Sequence, residues 1–303
     1  MPTSAHFNRL VVSACLLVSF LEIGCGGSGN SIITSQNQIC SACQFVFAST
    51  NSGQLLTFMV SQSSGQLGMP ATIAGPSNST GMAVVTINGF TKIFLYVSDP
   101  QNNAIRVFKF SLADGTLSPA NVGPFSMDSN GEPGGLVAAG SFLYATSSAG
   151  SISAFSVGAD GSLTDVPGSP FAAGSGVSHL AASGSDFLYA ANTGDGNGSI
   201  SAFQIGATGA LTPAPGSPFN TVANAGPEGL FLTGSNLYVA LKNAHAVAGF
   251  TIGANGALTA IAGSPFDAGN GPDSLTGTGN FLLVTNSLDA TISSYTSLRA
   301  LVP

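Results

Sequence analysis

Four residues that can carry acid–base chemistry stand at nearly the same place in a sequence unit that recurs along the chain. The residues are Glu132, His179, Glu228 and Asp273. Each lies in the short, Gly-rich segment that precedes an apolar run, and we call this segment the lead. An imidazole and carboxylates that converge can move a proton or bind a polar ligand. Carboxylates that follow Pro are also common in exposed turns. Three interpretations stay open: exposed turns, a ligand-binding rim, and a catalytic role for His179.

Basic residues are scarce, since the 303-residue chain has 6 Lys and Arg in total. Beyond Arg9 they are Lys92, Arg106, Lys109, Lys242 and Arg299. None of them lies in a lead, and Arg106 and Lys109 fall in an alternating run where charges on a solvated outer face are expected. Recognition of phosphate or carboxylate relies on Arg, Lys or clustered N–H donors. We therefore expect any small ligand of the leads to be neutral or cationic.

Other chemical motifs are incomplete. Cys40-Ser-Ala-Cys43 is a single CxxC pair, whereas a structural zinc site takes four ligands. The sequence has no G-x-S-x-G nucleophile elbow. Asn192–Gly198 offers one carboxylate, too few for a dedicated calcium loop, and is interpreted as a turn. We expect neither a metal nor a cofactor.

The leads belong to a long internal repeat. The phrase GADGSLTDVPGSPF begins at Gly158 and returns as GATGALTPAPGSPF at Gly206 and as GANGALTAIAGSPF at Gly253, 48 and 47 residues later. An aromatic or apolar dipeptide marks six copies of the unit, and these dipeptides start at Val46, Leu95, Leu143, Leu188, Leu237 and Leu282. Periods of this size with several short strands per unit indicate a propeller or a similar array.

Each unit carries four strand signals. In one copy they are the run from Leu136, the run from Phe142, the alternating Ile152–Val157 and the run from Leu163. Asp160-Gly161 lies between the third and fourth runs, where a hairpin turn needs residues that tolerate positive φ. The closing GSPF places Pro at a strand end and a Phe that can pack against the next unit. The sequence thus predicts an all-β fold, a β-propeller of four-stranded antiparallel blades. A linear β-solenoid fits less well because its repeats are shorter.

The number of blades follows from the copies of the unit. Six copies of the second and third strands predict six blades within residues 44–303. The first copy lacks a clear innermost strand, and the last has only the stub Leu298–Val302 after its third strand. Six blades fit if either Ser31–Thr34 or this stub closes the ring. Seven blades would need about one more repeat.

The N-terminus has the order of an export signal. Arg9 precedes the apolar segment Leu10–Leu21, and Gly24-Cys25 follows with a polar tail. The apolar segment is too short to span a bilayer permanently. LEIGC resembles a bacterial lipoprotein signal, although Glu22 stands where Leu is usual. We predict a signal peptide over 1–24, a tether over 25–43 lipid-attached at Cys25, and a location in the cell envelope, with plain secretion or no export as alternatives.

Cys40 and Cys43 are the cysteines that remain after the predicted signal and lipid site. A local disulfide suits an oxidising compartment. A free pair is the first alternative. Redox activity is the second, and the absence of a βαβ pattern around the motif disfavours it.

Composition limits the partners. Only 6% of the residues are charged, against about 25% in ordinary soluble domains. The formal net charge is −7, and the sequence has no cluster of basic residues. Nucleic acid is excluded as an expected partner because phosphate binding needs a basic patch. We expect a monomer that meets the membrane through its lipid alone.

The second-strand segments also suggest a family. Tyr96-Val-Ser-Asp99, the run from Leu188 and the run from Leu237 resemble the YVTN-type and lactonase-like bacterial β-propellers, which include 6-phosphogluconolactonase. That resemblance implies a propeller, usually of seven blades, and a site that uses Arg, His and a carboxylate. His179 resembles the family's His before an innermost strand, but Val177-Ser178 stands where Pro is expected.

Two functional hypotheses follow. The first is a non-catalytic binding or scaffold protein whose partner is a small neutral or cationic ligand, a polymer or a protein. The second, implied by the resemblance, is a lactonase-like hydrolase or isomerase centred on His179. The scarcity of cations near the leads favours the first.

Overall fold

The computed structural model describes residues 18–21, 44–61, 63–87, 92–127, 131–194, 198–278 and 281–296. These residues form antiparallel β-strands and one 3-10 turn, Pro100–Asn102. Within these ranges no helix has the length and apolarity needed to cross a bilayer. The predicted lipid site Cys25, the pair Cys40 and Cys43, and the stub Leu298–Val302 lie outside the described residues, as does Ser31–Thr34.

The strands form six separate antiparallel sheets, which are the six blades that the sequence predicts. Blade 1 contains β1 (Val18–Leu21), β2 (Gln44–Ser49), β3 (Gln54–Val60) and β4 (Ala71–Ala74). Blade 2 contains β5 (Met82–Ile87), β6 (Lys92–Asp99), β7 (Ala104–Ser111), β8 (Thr116–Pro119) and β9 (Phe125–Ser126). Blade 3 contains β10 (Pro133–Ala139), β11 (Phe142–Ser147), β12 (Ser151–Val157), β13 (Leu163–Asp165) and β14 (Phe171–Ala172).

Blades 4 and 5 repeat this plan, and blade 6 has three strands among the described residues. Blade 4 contains β15 (Val177–Ser183), β16 (Phe187–Asn192), β17 (Ser199–Ile205), β18 (Leu211–Pro213) and β19 (Phe219–Asn220). Blade 5 contains β20 (Pro227–Thr233), β21 (Asn236–Leu241), β22 (Ala246–Ile252), β23 (Leu258–Ala260) and β24 (Phe266–Asp267). Blade 6 contains β25 (Pro272–Thr278), β26 (Phe281–Asn286) and β27 (Thr291–Thr296).

The end of the repeated phrase does more than stop the fourth strand. In blades 2 to 5 the Phe of the phrase begins a two-residue strand that pairs with the start of the third strand, as Phe171 does opposite Ile152. The preceding Ser169 accepts a hydrogen bond from the backbone N–H of Ala154 at 3.0 Å. Both contacts fasten the exit of the blade to its own third strand. The sequence predicted the strand end but not this fifth strand.

In blades 2 to 5 the outer hairpin, which the repeated phrase encodes, packs against the second strand of the preceding blade. Gly209 has a φ of +84° in the outer hairpin of blade 4, and a Cβ there would meet the Phe142 ring of blade 3. Tyr144, two residues along the same strand, donates its hydroxyl to the Gly209 carbonyl at 2.9 Å. A positive φ and a covering ring both favour glycine. The phrase is therefore repeated because each hairpin must fit a nearly identical neighbour.

Apolar side chains fill the junctions between successive blades. Five buried clusters join blade 1 to 2, 2 to 3, 3 to 4, 4 to 5 and 5 to 6. In the cluster between blades 3 and 4, Tyr144 and Ile152 pack with Leu188 and Ala190, and all four are fully buried. The core of this protein is thus a series of similar interfaces between sheets.

The inner strand of blade 1 comes from an unexpected segment. Val18–Leu21 pairs with β2 in the innermost position. The sequence of the first copy shows no clear innermost strand, and these residues are predicted to belong to the signal peptide. If the chain is cut between Gly24 and Cys25 as predicted, blade 1 loses this strand.

Candidate functional site

The leads and the loops after the second strands lie together at one end of the blades, and we call this end the rim. In blade 5 the backbone N–H of Lys242 donates to the carbonyl of Gly226 at 3.0 Å. In blade 3 the N–H of Ser148 donates to the carbonyl of Glu132 at 3.0 Å, and blades 4 and 6 have equivalent bonds. A side chain in a lead therefore meets side chains from the loop of the same blade.

Adjacent leads approach each other closely at the rim. A Cβ on Gly135 of blade 3 would lie 2.7 Å from the Ser178 carbonyl and 3.3 Å from the Cα of His179 in blade 4. A Cβ on Gly229 of blade 5 would lie 2.5 Å from the Asp273 carbonyl of blade 6. Leu136 and Leu180 have equivalent register positions in blades 3 and 4, and Gly135 precedes the first as His179 precedes the second. The imidazole is therefore a distinctive feature of blade 4 at this level of the rim.

Charged side chains of blades 5 and 6 influence the pKa of His179. It is half-buried, and its Nδ1 lies 3.3 Å from the Ser178 hydroxyl. Burial lowers the pKa of His179 from its ordinary 6.5, the charges of Glu228 and Asp273 oppose that change, and the charge of Lys242 adds to it. A lowered pKa keeps the imidazole neutral at neutral pH, where it can accept or donate a proton. We call His179, Glu228, Lys242 and Asp273 the His179 cluster.

Both carboxylates of the cluster have polar partners. Lys242 Nζ lies 3.0 Å from Glu228 Oε1, with 37% of the Lys and 25% of the Glu side chain exposed. Asp273 Oδ1 accepts the Thr285 hydroxyl at 2.6 Å. Partial burial makes the ion pair stronger than a fully solvated one, although it remains in contact with water. The cluster is thus a polar, partly hydrated surface held in place by its own hydrogen bonds.

The structure separates the four residues that the sequence proposed. His179, Glu228 and Asp273 belong to one electrostatic cluster. Glu132 is exposed on the rim of blade 3 and is not among the charges that act on His179. Among the described residues, no three His, Cys, Asp or Glu side chains lie close enough together to hold a metal ion.

Two cations have carboxylate partners that the sequence did not predict. Lys242 was absent from the predicted site because it is not in a lead, yet its loop brings it to Glu228. Arg106 was interpreted as a solvated outer charge; its side chain is 43% exposed, and its Nε also lies 2.8 Å from Oδ2 of the buried Asp99. Lys109 is exposed, as expected. The signal that could have found Lys242 is its place one residue after the second strand, where the loop meets the lead.

His245 has a structural contact that its exposed position did not predict. Its φ is +52°, and its Nδ1 accepts the backbone N–H of Gly271 at 3.1 Å. Its own carbonyl accepts the N–H of Ala268 at 2.9 Å. These bonds join the rim loop of blade 5 to the lead of blade 6, so His245 positions the lead that carries Asp273.

Solved structures share this fold. A presumed 6-phosphogluconolactonase from Bacteroides fragilis aligns with a TM-score of 0.68 and 22% identity, over 86% of this chain and 78% of that chain. A presumed 6-phosphogluconolactonase from Bacteroides uniformis gives 0.69 and 21%, over 86% and 79%. The fold is that of the lactonase-like β-propellers.

A third lactonase-like β-propeller is more distant in sequence. The periplasmic gluconolactonase of Pseudomonas aeruginosa aligns with a TM-score of 0.62 and 16% identity, over 84% of this chain and 82% of that chain. No family model and no curated protein matches the sequence. At these identities the likeness establishes the fold, and the activity must be argued from the site.

Proposed function

We propose that this lactonase-like β-propeller binds a small neutral or cationic polar molecule at the rim, next to His179. The observation that carries the proposal is the charge of the His179 cluster. Glu228 and Asp273 contribute two negative charges, Lys242 contributes one positive charge and His179 is neutral, so the formal sum is −1. A ligand here meets carboxylate oxygens and a neutral imidazole, which are hydrogen-bond acceptors for hydroxyl and ammonium groups.

An anionic ligand is disfavoured for the same reason. Lys242 is the cation of the cluster, and Glu228 already accepts its ammonium group. A phosphate or carboxylate would have to displace Glu228 and then lie near two carboxylates. Charged donors that are free to form two parallel bonds are what anion sites use.

A charge series of similar molecules tests the proposal. Glucosamine, glucose and gluconate would each be titrated into the protein while the imidazole resonances of His179 are followed by NMR. We expect glucosamine or glucose to shift these resonances and gluconate to leave them unchanged. Glu228→Gln should weaken the binding of glucosamine. Glu132→Gln, which changes a carboxylate on the rim outside the cluster, should leave that binding unchanged. Preferential binding of gluconate would contradict the proposal.

A second candidate function is the opening of an unphosphorylated lactone. A neutral imidazole at the rim favours it, because His179 could take a proton from the attacking water. The named activity of the structural neighbours is in line with this candidate. Turnover of glucono-δ-lactone and its 6-phosphorylated form by wild type and His179→Ala decides it. We expect negligible turnover of the phosphorylated lactone, and activity on it that His179→Ala abolishes would overturn the charge argument.

We further propose that the protein acts outside the cytoplasm, anchored by lipid at Cys25. The order of Arg9, the apolar segment and Gly24-Cys25 supports this. One structural neighbour is a periplasmic protein by name. Cells grown with a labelled fatty acid should label wild type and not Cys25→Ser. An unlabelled wild type, with Cys25→Ser at the same location, would rule the anchor out.

A further inference from the structure

Exposed apolar side chains are concentrated in the first and last blades. Among the described residues, the large hydrophobic side chains that are exposed are Met59, Leu67, Met69, Val222, Phe281, Leu288 and Ile292. Only Val222 belongs to blades 2 to 5. Large apolar side chains that are exposed together can mark an interaction site. The two ends of the blade series therefore differ from its middle.

Blade 6 exposes the face that every earlier blade buries against its successor. Ile292 is 67% exposed, whereas its register equivalents Ile152, Ile200 and Val247 are at most 1% exposed. Phe281 is 47% exposed. Its equivalents Phe142 and Phe187 cover the hairpin glycines of the next blades. The phenyl ring of Phe281 in blade 6 thus has no hairpin glycine of a following blade to cover.

Blade 1 exposes the complementary half of the same contact. Gly65 has a φ of +68°, and the space where a Cβ would stand has no atom within 4 Å. At the equivalent Gly115 a ring atom of Phe45 lies 3.0 Å away. Leu67 is 53% exposed, whereas its equivalents Leu117 and Leu211 are 8% and 6% exposed. Blade 1 thus presents a hairpin that no ring covers.

We propose that two copies of this chain pair through these faces, with Phe281 of one copy covering Gly65 of the other. The five apolar clusters of one copy fill five junctions, and none of them joins blade 6 to blade 1 within the described residues. A second copy supplies a hairpin glycine for Phe281 and a phenyl ring for Gly65, which is the contact that successive blades make within the chain. A two-fold axis satisfies both at once, since blade 6 of each copy meets blade 1 of the other.

This proposal replaces the monomer expected from the sequence and is independent of the rim. The rim is built from the leads and loops at one end of the blades, while the exposed faces are the flat sides of blades 1 and 6. The contact needs no new chemistry, because its pattern of ring and glycine recurs four times within the chain.

The experiment measures mass by light scattering over a dilution series of the full chain carrying Cys25→Ser, which removes the lipid. We expect a dimer that dissociates on dilution. Phe281→Ser and Gly65→Asn should each raise the dissociation constant by at least about tenfold, the effect of losing a central interface contact. Asn tolerates positive φ, so Gly65→Asn should leave the fold intact.

Matched controls separate pairing from folding. Gly184→Asn makes the same change at a φ of +60° with no atom within 4 Å of the Cβ position, and it should remain a dimer. A mixture of Phe281→Ser and Gly65→Asn should regain dimer, since the mixed pair has one intact contact. A wild-type monomer at all concentrations would overturn the proposal. So would a monomer that Phe281→Ser destabilises, because the two faces would then pack within one chain.

Discussion

Tyr144 in blade 3 donates its hydroxyl to the carbonyl of Gly209 in the outer hairpin of blade 4, at 2.9 Å. The same bond joins Tyr96 to Gly161 at 2.9 Å and Tyr189 to Gly256 at 3.2 Å. Burial raises the pKa of Tyr144 to about 12, so the hydroxyl remains a donor at any physiological pH. In these three of the five apolar junctions, one polar bond sets the position of the next hairpin.

Tyr144→Phe should destabilise the protein by about 1–2 kcal/mol, because it leaves the Gly209 carbonyl buried without its donor. The ring remains, so the apolar packing is preserved. Urea denaturation followed by circular dichroism measures the change. Tyr295→Phe is the matched control, since its 2.7 Å bond to the Asp267 carbonyl is exposed and water can replace it. An equal loss in both variants would show that burial of the bond is not what matters.

Gly209→Ala should destabilise the protein more than Gly184→Ala. Both glycines have positive φ, +84° and +60°, so both substitutions add backbone strain of about 1–2 kcal/mol. At Gly209 the new methyl group also meets the Phe142 ring, which adds about 1–3 kcal/mol of overpacking. Gly184 has no atom within 4 Å of the Cβ position. Equal losses of unfolding free energy in the two variants would contradict the close packing of blade 3 against this hairpin.

The fold was predictable because its signals are local. Ile152–Val157 marks a strand by its alternation of apolar and polar residues, and Asp160-Gly161 marks a hairpin by its tolerance of positive φ. The period then orders these hairpins into blades without any knowledge of long-range contacts. Val18–Leu21 was the exception among the inner strands, because a short apolar segment fits a leader and a strand equally well.

The site was less predictable because it depends on contacts between different parts of a blade. Leads could be aligned by sequence, and this alignment places Glu228 and Asp273 at equivalent positions of blades 5 and 6. Nothing in the sequence states that the loop carrying Lys242 folds back onto the lead that carries Glu228. The ion pair of Arg106 with Asp99 was not predicted for the same reason, because Asp99 ends β6 and Arg106 lies in the next strand, β7.

Asp99→Ala should destabilise the protein by about 1–3 kcal/mol, because it leaves Arg106 without its carboxylate at a partly exposed site. Asp99 also accepts the Asn102 amide at 2.9 Å and 3.0 Å, so the turn after β6 loses its anchor. Asp165→Ala removes an exposed carboxylate from an outer strand and should cost no more than about 0.5 kcal/mol. Thermal unfolding of both variants tests this. A similar change in the two would mean that the Asp99 contacts contribute nothing.

The pKa of His179 should respond in opposite directions to the loss of two charged side chains of blade 5, Lys242 and Glu228. Lys242→Met removes the positive charge that lowers this pKa and frees Glu228, so the pKa should rise. Glu228→Gln removes the charge that raises it, so the pKa should fall. NMR titration of the imidazole measures both. Lys92→Met is the control, because Lys92 Nζ donates to the Ala159 carbonyl in an outer hairpin, away from the rim.

The same group gives stability a pH dependence with a definite sign. The unfolded chain binds a proton at His179 near pH 6.5, and the folded chain does so at lower pH. The stability from the neutral imidazole is therefore present above pH 6.5 and is lost as the pH falls from there through the folded pKa. Lys242→Met should narrow the pH range over which this stability is lost, because it raises the folded pKa of His179 toward 6.5. His179→Gln should abolish this part of the pH dependence. Urea midpoints measured at intervals below pH 6.5 test both expectations. A wild-type midpoint that increases as the pH is lowered from 6.5 would contradict the sign.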